Sequence, residues 1–321
     1  MSAWRGGEFV VMKFDVGVPS GAIKHFETWV GTGHLNEFAV AAEAAGLDAV
    51  NVTDHPFPED AWLANGGHHA FDPFVALSSM SAVTSTIGLR TNLLVAGYRN
   101  PYLAARSIAS LDVLSGGRVI VGMGAGYLRA EFDVLGADFS TRGKRFDEAI
   151  EAMTAAWSGT SVDRDGTYYP AHGHSMVPVP VQRPRPPIWV GGNSAAAKRR
   201  AALLADGWLP FPQPEVMAAI TGSPALTTLD DLKAGIDEVF DLRIQAGLEG
   251  KFDIAFASFE RPDPEGDPDG ERFRERLAAY EDLGVTWLSL GCRGRTLAAC
   301  QEELAWLAEA VVGPYRRAAG S

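Results

Sequence analysis

The chain has few cysteines, no long apolar run and no excess of basic residues. Its two cysteines, Cys292 and Cys300, have a spacing that matches no zinc pattern, and one pair is too few for a disulfide framework in 321 residues. We expect both to be small buried hydrophobic residues. No apolar run reaches the roughly 18–20 residues that a membrane span needs. The net charge of −12 leaves no basic stripe to read phosphate backbones, so nucleic acid is not an expected partner.

The first residues, MSAWRGGEFVVMKF, contain no apolar stretch of the length found in a signal peptide. Met12 offers a more natural start, so we expect residues 1–11 to be an N-terminal extension and residues 12–321 to form one domain. A cytoplasmic protein is the corresponding expectation.

Short apolar runs alternate with helical patterns along most of the chain. The predicted strands cover residues 10–18, 47–52, 87–95, 118–124, 188–190, 207–209, 252–259 and 285–290. Eight strands that alternate with helices predict an α/β fold, specifically a (β/α)8 TIM barrel. The rhythm breaks after the fourth strand, where a helix over 142–157, a hairpin at 163–169 and a proline-rich stretch predict an insertion over about residues 127–187.

A doubly wound nucleotide-binding sheet is the alternative α/β fold. Residues 122–126, GMGAG, follow a predicted strand, but they lack the third glycine of the dinucleotide fingerprint and no helix begins directly after them. The chain also has no phosphate-binding loop of the Walker type. These absences favour the barrel.

In a TIM barrel the chemistry lies where the strands run into the following loops. The second predicted strand ends at Asp54 and His55, just before Pro56. Later strands end in glycine-rich tips at residues 122–126 and 191–194, and the second tip leads into a helix N-terminus, which can bind an anion. Together these tips indicate a flat or phosphorylated ligand across the barrel mouth.

Several ordered motifs make the sequence similar to one family. They are VTDHPFP, HHAFDPF, LRTNLLVAGYRNP, LDVLSGGRVIVGMGAGYLRAEFDVLG, DFSTRGKRFDEAI, PVQRPRPPIWVGGNS and DGW, spread over most of residues 13–210. The chain resembles the luciferase-like flavin-dependent oxidoreductases, and among them the actinobacterial branch that uses the deazaflavin coenzyme F420. The resemblance implies a TIM barrel with an insertion after strand four. The TDHP and GMGAGYLRAEF motifs favour the deazaflavin over flavin mononucleotide (FMN).

The resemblance also implies roles for individual residues. His55 would lie beside the reactive face of the ring as the catalytic proton acceptor or donor, and Asp54 would bind the ring or orient His55. The peptide between Asn92 and Leu93 would be cis and would bulge behind the ring. The remaining cofactor-binding residues implied are Gly124, Gly126, Tyr127, Gly191, Gly192, Asn193 and Trp208, the last pointing into the barrel mouth. A structural histidine, a turn aspartate and a core tryptophan are the alternatives for His55, Asp54 and Trp208.

The function expected from these residues is hydride transfer between coenzyme F420 and a small-molecule organic substrate. An FMN-dependent monooxygenase and a non-catalytic ligand-binding barrel are the alternatives. A metal hydrolase would carry histidines on the first strand, which has none, so we expect no metal site. No membrane partner is expected. Related enzymes are often dimers, which makes a homodimer an expectation.

Overall fold

A computed structural model describes residues 11–19 and 33–319. The expected N-terminal extension at residues 1–11 therefore falls almost wholly outside the described residues. Eight parallel strands close into a barrel, as predicted. They are β1 (Lys13–Gly17), β2 (Ala49–Val52), β3 (Gly88–Val95), β4 (Val119–Gly124), β7 (Ile188–Gly191), β8 (Gly207–Leu209), β9 (Asp253–Ala257) and β10 (Trp287–Leu290), and β1 pairs with β10 to complete the closure.

Helices follow the barrel strands on the outside. They are α1 (His34–Ala44), α2 (Asp60–Ala64), α3 (Pro73–Ser81), α4 (Pro101–Ser115), α5 (Arg129–Val134), α6 (Arg142–Ala156), α7 (Ala195–Leu204), α8 (Glu215–Thr221), α9 (Leu229–Gln245), α10 (Glu271–Leu283), α11 (Leu297–Trp306) and α12 (Gly313–Ala319). A π-helix at Leu307–Val312 joins the last two. Among the described residues, no helix combines the length and the apolar character that a bilayer crossing requires.

Local sequence signals explain where several helices begin and end. The Asp72 carboxylate accepts the N–H groups of Phe74 and Val75 and so caps α3, whose first residue is a proline. Asn100 caps α4 in the same way by accepting from Tyr102. That helix ends at Gly116, whose φ of +70° is left-handed and favours glycine.

The segment between β4 and β7 leaves the barrel sheet. It contains α5, a 3-10 turn at Phe139–Thr141, α6, and an antiparallel pair formed by β5 (Val162–Arg164) and β6 (Ala171–His174). The predicted hairpin is therefore present but longer than expected, since its two strands flank a loop over residues 165–170 that contains Asp165 and Gly166. The Glu148 carboxylate on α6 accepts N–H groups from Thr167, Tyr168 and Tyr169 and holds the turn against this helix.

Two apolar layers follow from the alternation of side chains along the strands. The larger layer lies between the strands and the helices. A smaller cluster comes from alternate positions of six different barrel strands and fills the barrel interior: Ala49, Ile120, Trp189, Leu209, Ala255 and Trp287, with Leu93 packed against them. The interior is therefore a packed core, and ligands are left with the mouth at the strand ends.

Candidate active site

His55 follows β2, and the structure pairs it with a carboxylate from beyond β4. Its Nδ1 lies 3.1 Å from Oε2 of Glu131 on α5. The Glu131 side chain is completely buried, whereas 12% of the His55 side chain is exposed. No sequence pattern predicts this pair, because the two residues lie far apart in the chain and Glu131 is one of many residues inside the motif GAGYLRAEF.

Glu131 accepts two further hydrogen bonds. The Tyr98 hydroxyl donates to Oε2 at 2.7 Å, and the Phe57 backbone N–H donates to Oε1 at 3.1 Å. Burial alone would raise the pKa of Glu131, but the hydrogen bonds from His55 and Tyr98 outweigh it and the pKa is lowered. Burial and the neighbouring Glu131 carboxylate together raise the pKa of Tyr98 far above its ordinary value. Glu131 is therefore a carboxylate and Tyr98 a neutral phenol.

The ionised state of Glu131 fixes the tautomer of His55. A carboxylate only accepts hydrogen bonds, so Nδ1 of His55 carries the proton and Nε2 is left with a lone pair in the neutral ring. The alternative in which Asp54 orients His55 is wrong, because Glu131 takes that position. The arrangement can accept a proton at Nε2 and stabilise the resulting imidazolium.

The Asp54 carboxylate is hydrogen-bonded to residues at the end of β3 and in the loop after it. Its carboxylate accepts hydrogen bonds from both terminal nitrogens of Arg99, at 2.6 and 3.0 Å, and from the backbone N–H of Val95 at 3.0 Å. Only 2% of Asp54 is exposed. Burial works to lower the pKa of Arg99, but its bond to Asp54 raises it overall. Asp54 therefore ties the end of β2 to β3, and its expected contact with a cofactor ring stays a prediction.

The peptide between Asn92 and Leu93 is cis, as predicted. The pairing of β3 with β4 shifts register between Thr91 and Leu94, so these two residues form a bulge in β3. The Leu93 side chain fills space that neighbouring glycines leave open. A Cβ at Gly191 would overlap Leu93, and one at Gly124 would lie 3.0 Å from it. Gly124 and Gly191 are therefore needed to accommodate the bulge, whatever else they contact.

Asn92 belongs to a polar network inside the barrel that the sequence did not reveal. Its amide donates to Asn51 at 3.0 Å, and its oxygen accepts from Arg90 at 3.2 Å. Arg90 donates to Asp15 at 2.6 Å, and both side chains are completely buried. Ser289 on β10 also donates to Asp15. The bulge thus rests on side chains from four neighbouring strands.

Trp208 does not point into the barrel mouth. Its side chain is 1% exposed, and its ring packs so closely on Gly235 of α9 that a Cβ there would lie 2.5 Å from it. Its indole N–H donates to the Gly192 carbonyl at 2.9 Å. Trp208 therefore lies between strand and helix, as a core residue. The physical reason is the two-residue alternation of a strand: Leu209, its neighbour, takes the interior position.

The other expected contact residues lie at the same end of the barrel. Gly126 has a φ of +80°, and Gly192 a φ of +117°, so both positions require glycine. The Asn193 amide donates a hydrogen bond to the Phe211 carbonyl at 3.0 Å. The Asn193 side chain is therefore held against the loop after β8. Tyr127 is 38% exposed. Partial burial raises its pKa, and a hydrogen bond with Trp62 opposes part of that rise.

Aromatic rings surround His55 on the side of α2. The centroid of the Trp62 ring lies 4.6 Å from the centroid of the His55 ring. The centroid of the His68 ring lies 5.0 Å from that of His55, and the planes of these two rings meet at 87°. Both come from the segment that follows His55 in the chain, and no motif in the sequence marks either of them as part of the catalytic site. No group of three or more His, Cys, Asp or Glu side chains within residues 11–19 and 33–319 is arranged to hold a metal ion.

Comparison with known proteins identifies the family of the chain. Residues 11–222 match the model of a family described as luciferase-like monooxygenase. The chain belongs to the luciferase-like family. It is 32% identical to an uncharacterised protein of Mycobacterium bovis over 79% of this chain and 83% of that protein. It is also 35% identical to an F420-dependent glucose-6-phosphate dehydrogenase of Gordonia bronchialis, over 54% of this chain and 52% of the relative.

The fold comparison extends over nearly the whole chain. The crystal structure of the monooxygenase RslO1 from Streptomyces bottropensis superposes with a TM-score of 0.74, covering 95% of this chain and all of that one at 21% identity. At this identity the likeness establishes the fold. The predicted TIM barrel and the predicted resemblance to the luciferase-like family are both confirmed.

Proposed function

We propose that the chain is an F420-dependent oxidoreductase that transfers a hydride between the deazaflavin and a small organic substrate carrying a hydroxyl or carbonyl group. The observation that carries the proposal is the hydrogen bond from His55 Nδ1 to the buried Glu131 carboxylate. Support for the deazaflavin comes from the F420-dependent relative, which is matched over about half of each chain.

The mouth suits a flat ring. The half-buried Leu93 side chain fills the space beside Gly124 and Gly191, so it offers an apolar surface at these strand ends. Thr53, just before Asp54, has a buried hydroxyl with no hydrogen-bond partner in the described residues, which leaves a polar atom available to a ligand. These features fit a planar cofactor with polar edges. When bound, the deazaflavin supplies two-electron hydride chemistry.

The chain's own groups handle the proton. In the oxidising direction the substrate C–H bond gives up a hydride, and the substrate O–H proton moves to Nε2 of His55, which leaves a carbonyl product. Glu131 stabilises the imidazolium through Nδ1 and holds the ring in place. In the reducing direction the same imidazolium returns the proton. The aromatic rings of Trp62 and His68 limit the access of water to His55.

Paired fluorescence titrations with coenzyme F420 and with FMN test the cofactor. The family is described as luciferase-like monooxygenase, so an FMN-dependent monooxygenase is the second candidate. We expect F420 to bind tightly and FMN weakly. Oxidised F420 is then mixed with protein and a panel of alcohols that includes propan-2-ol and glucose-6-phosphate, and loss of its absorbance reports hydride transfer. Preference for FMN would replace the proposal with the second candidate.

A variant separates catalysis from binding alone. His55→Asn keeps a polar side chain of similar size but cannot take up the proton. We expect it to bind F420 like the parent and to transfer hydride about 10²-fold more slowly. An equal rate in both proteins would contradict the role of His55, and it would leave a ligand-binding barrel as the better description.

A further inference from the structure

The second imidazole of the site, His68, is held in place by the loop that carries it. Gly66 has a φ of +93°, which favours glycine, and a Cβ on Gly67 would overlap the ring of Trp62. The loop can therefore pack directly on Trp62, whose ring lies 5.5 Å from His68. The two glycines bring His68 edge-on to His55, and the sequence GGHH is explained by this packing.

The tautomer of His68 is fixed as clearly as that of His55. Its Nδ1 lies 3.0 Å from the backbone carbonyl of His69, which only accepts, so Nδ1 carries a proton and Nε2 holds a lone pair in the neutral ring. Burial lowers the pKa of His68; the bond to the His69 carbonyl and the Glu131 charge oppose this, and the imidazoles of His55 and His69 add to it. His68 is therefore neutral and able to accept a proton at neutral pH.

Among the described residues, the contacts of the His55 side chain include Glu131, Trp62 and His68. The Glu131 side chain is shut off from solvent and already accepts from Tyr98 and Phe57. Trp62 has a donor and no basic nitrogen. Among the contacts of His55 in the described chain, His68 alone combines a basic nitrogen with partial exposure to solvent.

We propose that His68 carries the proton between Nε2 of His55 and bulk water. The His55 imidazolium passes its Nε2 proton to Nε2 of His68, and the His68 imidazolium then releases its proton to water. Each transfer moves one proton and leaves the starting ring neutral. A histidine suits this task because a neutral imidazole accepts a proton at its free nitrogen and the imidazolium can release it again. The inference rests on the proposed role of His55 as proton acceptor.

Nitrogen NMR of ¹⁵N-histidine-labelled, cofactor-free protein tests the route without a substrate. The spectra report the tautomer of each ring, and exchange measurements on the doubly protonated His55 ring give the rate at which its Nε2 proton exchanges with water. We expect His68→Gln to slow this exchange by about tenfold or more, since one proton-transfer partner is lost. His69→Gln is the matched control: it removes the exposed neighbouring imidazole, keeps the backbone carbonyl that fixes the His68 tautomer, and should slow the exchange much less than His68→Gln does.

Free imidazole in the buffer should restore exchange in His68→Gln, because a small base can replace the missing ring. Equal exchange rates in the parent and both variants, or a His68 tautomer protonated at Nε2, would overturn the proposal. Circular dichroism confirms that the variants are folded. The F420 titration is a separate measurement, so failure of cofactor binding and failure of the proton route give different results.

Discussion

The buried Glu131 carboxylate accepts three hydrogen bonds. His55, Tyr98 and the Phe57 backbone all donate to it, and they come from two different loops of the barrel mouth. A buried carboxylate is costly unless such donors and a nearby cation compensate it. Protonation of His55 supplies that cation, so the pair is arranged to favour an imidazolium during the reaction.

Glu131→Gln removes the charge while keeping the size of the side chain. We expect hydride transfer to slow by about 10²-fold and the affinity for F420 to change little, because the amide no longer stabilises the His55 imidazolium. Stopped-flow measurement of F420 absorbance with an alcohol substrate gives the rate. Tyr98→Phe, which removes one donor and leaves the carboxylate, is the matched variant and should slow the reaction less. A larger loss in Tyr98→Phe would contradict this account.

Glu43 gives a pH-dependent contribution to stability far from the site. Its carboxylate accepts N–H groups from Ser85, Thr86 and Ile87 at the turn before β3. Burial acts to raise its pKa, but these bonds lower the pKa from 4.5 to about 2. Since the folded-state pKa lies below the unfolded one, the contribution is fully present above about pH 5 and is lost as the pH falls toward 2.

Glu43→Gln should therefore cost stability at neutral pH and much less near pH 2. Urea unfolding of both proteins at several pH values measures the difference in free energy, which should shrink steadily below pH 5. A difference that stays constant across this range would show that the charge of Glu43 makes no contribution.

At the scale of elements, the bulge in β3 and the glycines around it form one unit. Leu93 projects from the cis peptide toward Gly124 on β4 and Gly191 on β7. The three strands fit together only because those two positions lack a side chain. The bulge in β3 and the small residues on the other two strands therefore depend on each other.

Gly191→Ala should destabilise the protein by about 1–3 kcal/mol, because its methyl group overlaps Leu93. Leu93→Ala alone leaves a cavity, and the double variant should recover part of the loss since each change makes room for the other. A double-mutant cycle from denaturant unfolding gives the coupling energy. Additive effects would mean that the two side chains do not compete for the same space.

Sequence patterns predicted the elements well and the contacts between them poorly. The alternation of apolar runs with helical periods is a local property, so the eight barrel strands and a helix such as Leu229–Gln245 could be found from it. The pairing of His55 with Glu131 depends on how β2 and β4 come together in space. The direction that the resemblance implies for Trp208 is wrong, and a three-residue strand offers too short an alternation to correct it from the sequence.

At the scale of the whole molecule, a buried ion pair joins the first and last strands of the barrel to its third. Asp15 on β1 accepts from Arg90 on β3 and from Ser289 on β10. Arg90 also lies 5.6 Å from the Trp189 ring on β7. These contacts cross the barrel interior directly beneath the bulge, so closure of the barrel and support of the mouth depend on the same side chains.

Arg90→Met leaves the Asp15 charge buried without its partner and should destabilise the protein by about 3–5 kcal/mol. The double variant Arg90→Met with Asp15→Leu removes both charges and should regain much of that loss. Denaturant unfolding provides the comparison. If the double variant were less stable than Arg90→Met alone, the remaining polar residues, and not the unpaired charge, would dominate the energetics.

Asp54 and His55 are adjacent in the chain but are fastened in opposite directions, Asp54 to the end of β3 through Val95 and Arg99, and His55 to Glu131 beyond β4. The hydrogen bonds that hold the proton-handling pair come from the loops after β2 and β3 and from Glu131 beyond β4; none of these bonds involves the segment that follows β8. That segment can be exchanged between relatives without rebuilding the reactive centre. A chimaera that takes residues 210–228 from another member of the family should keep its chemistry and acquire a new substrate.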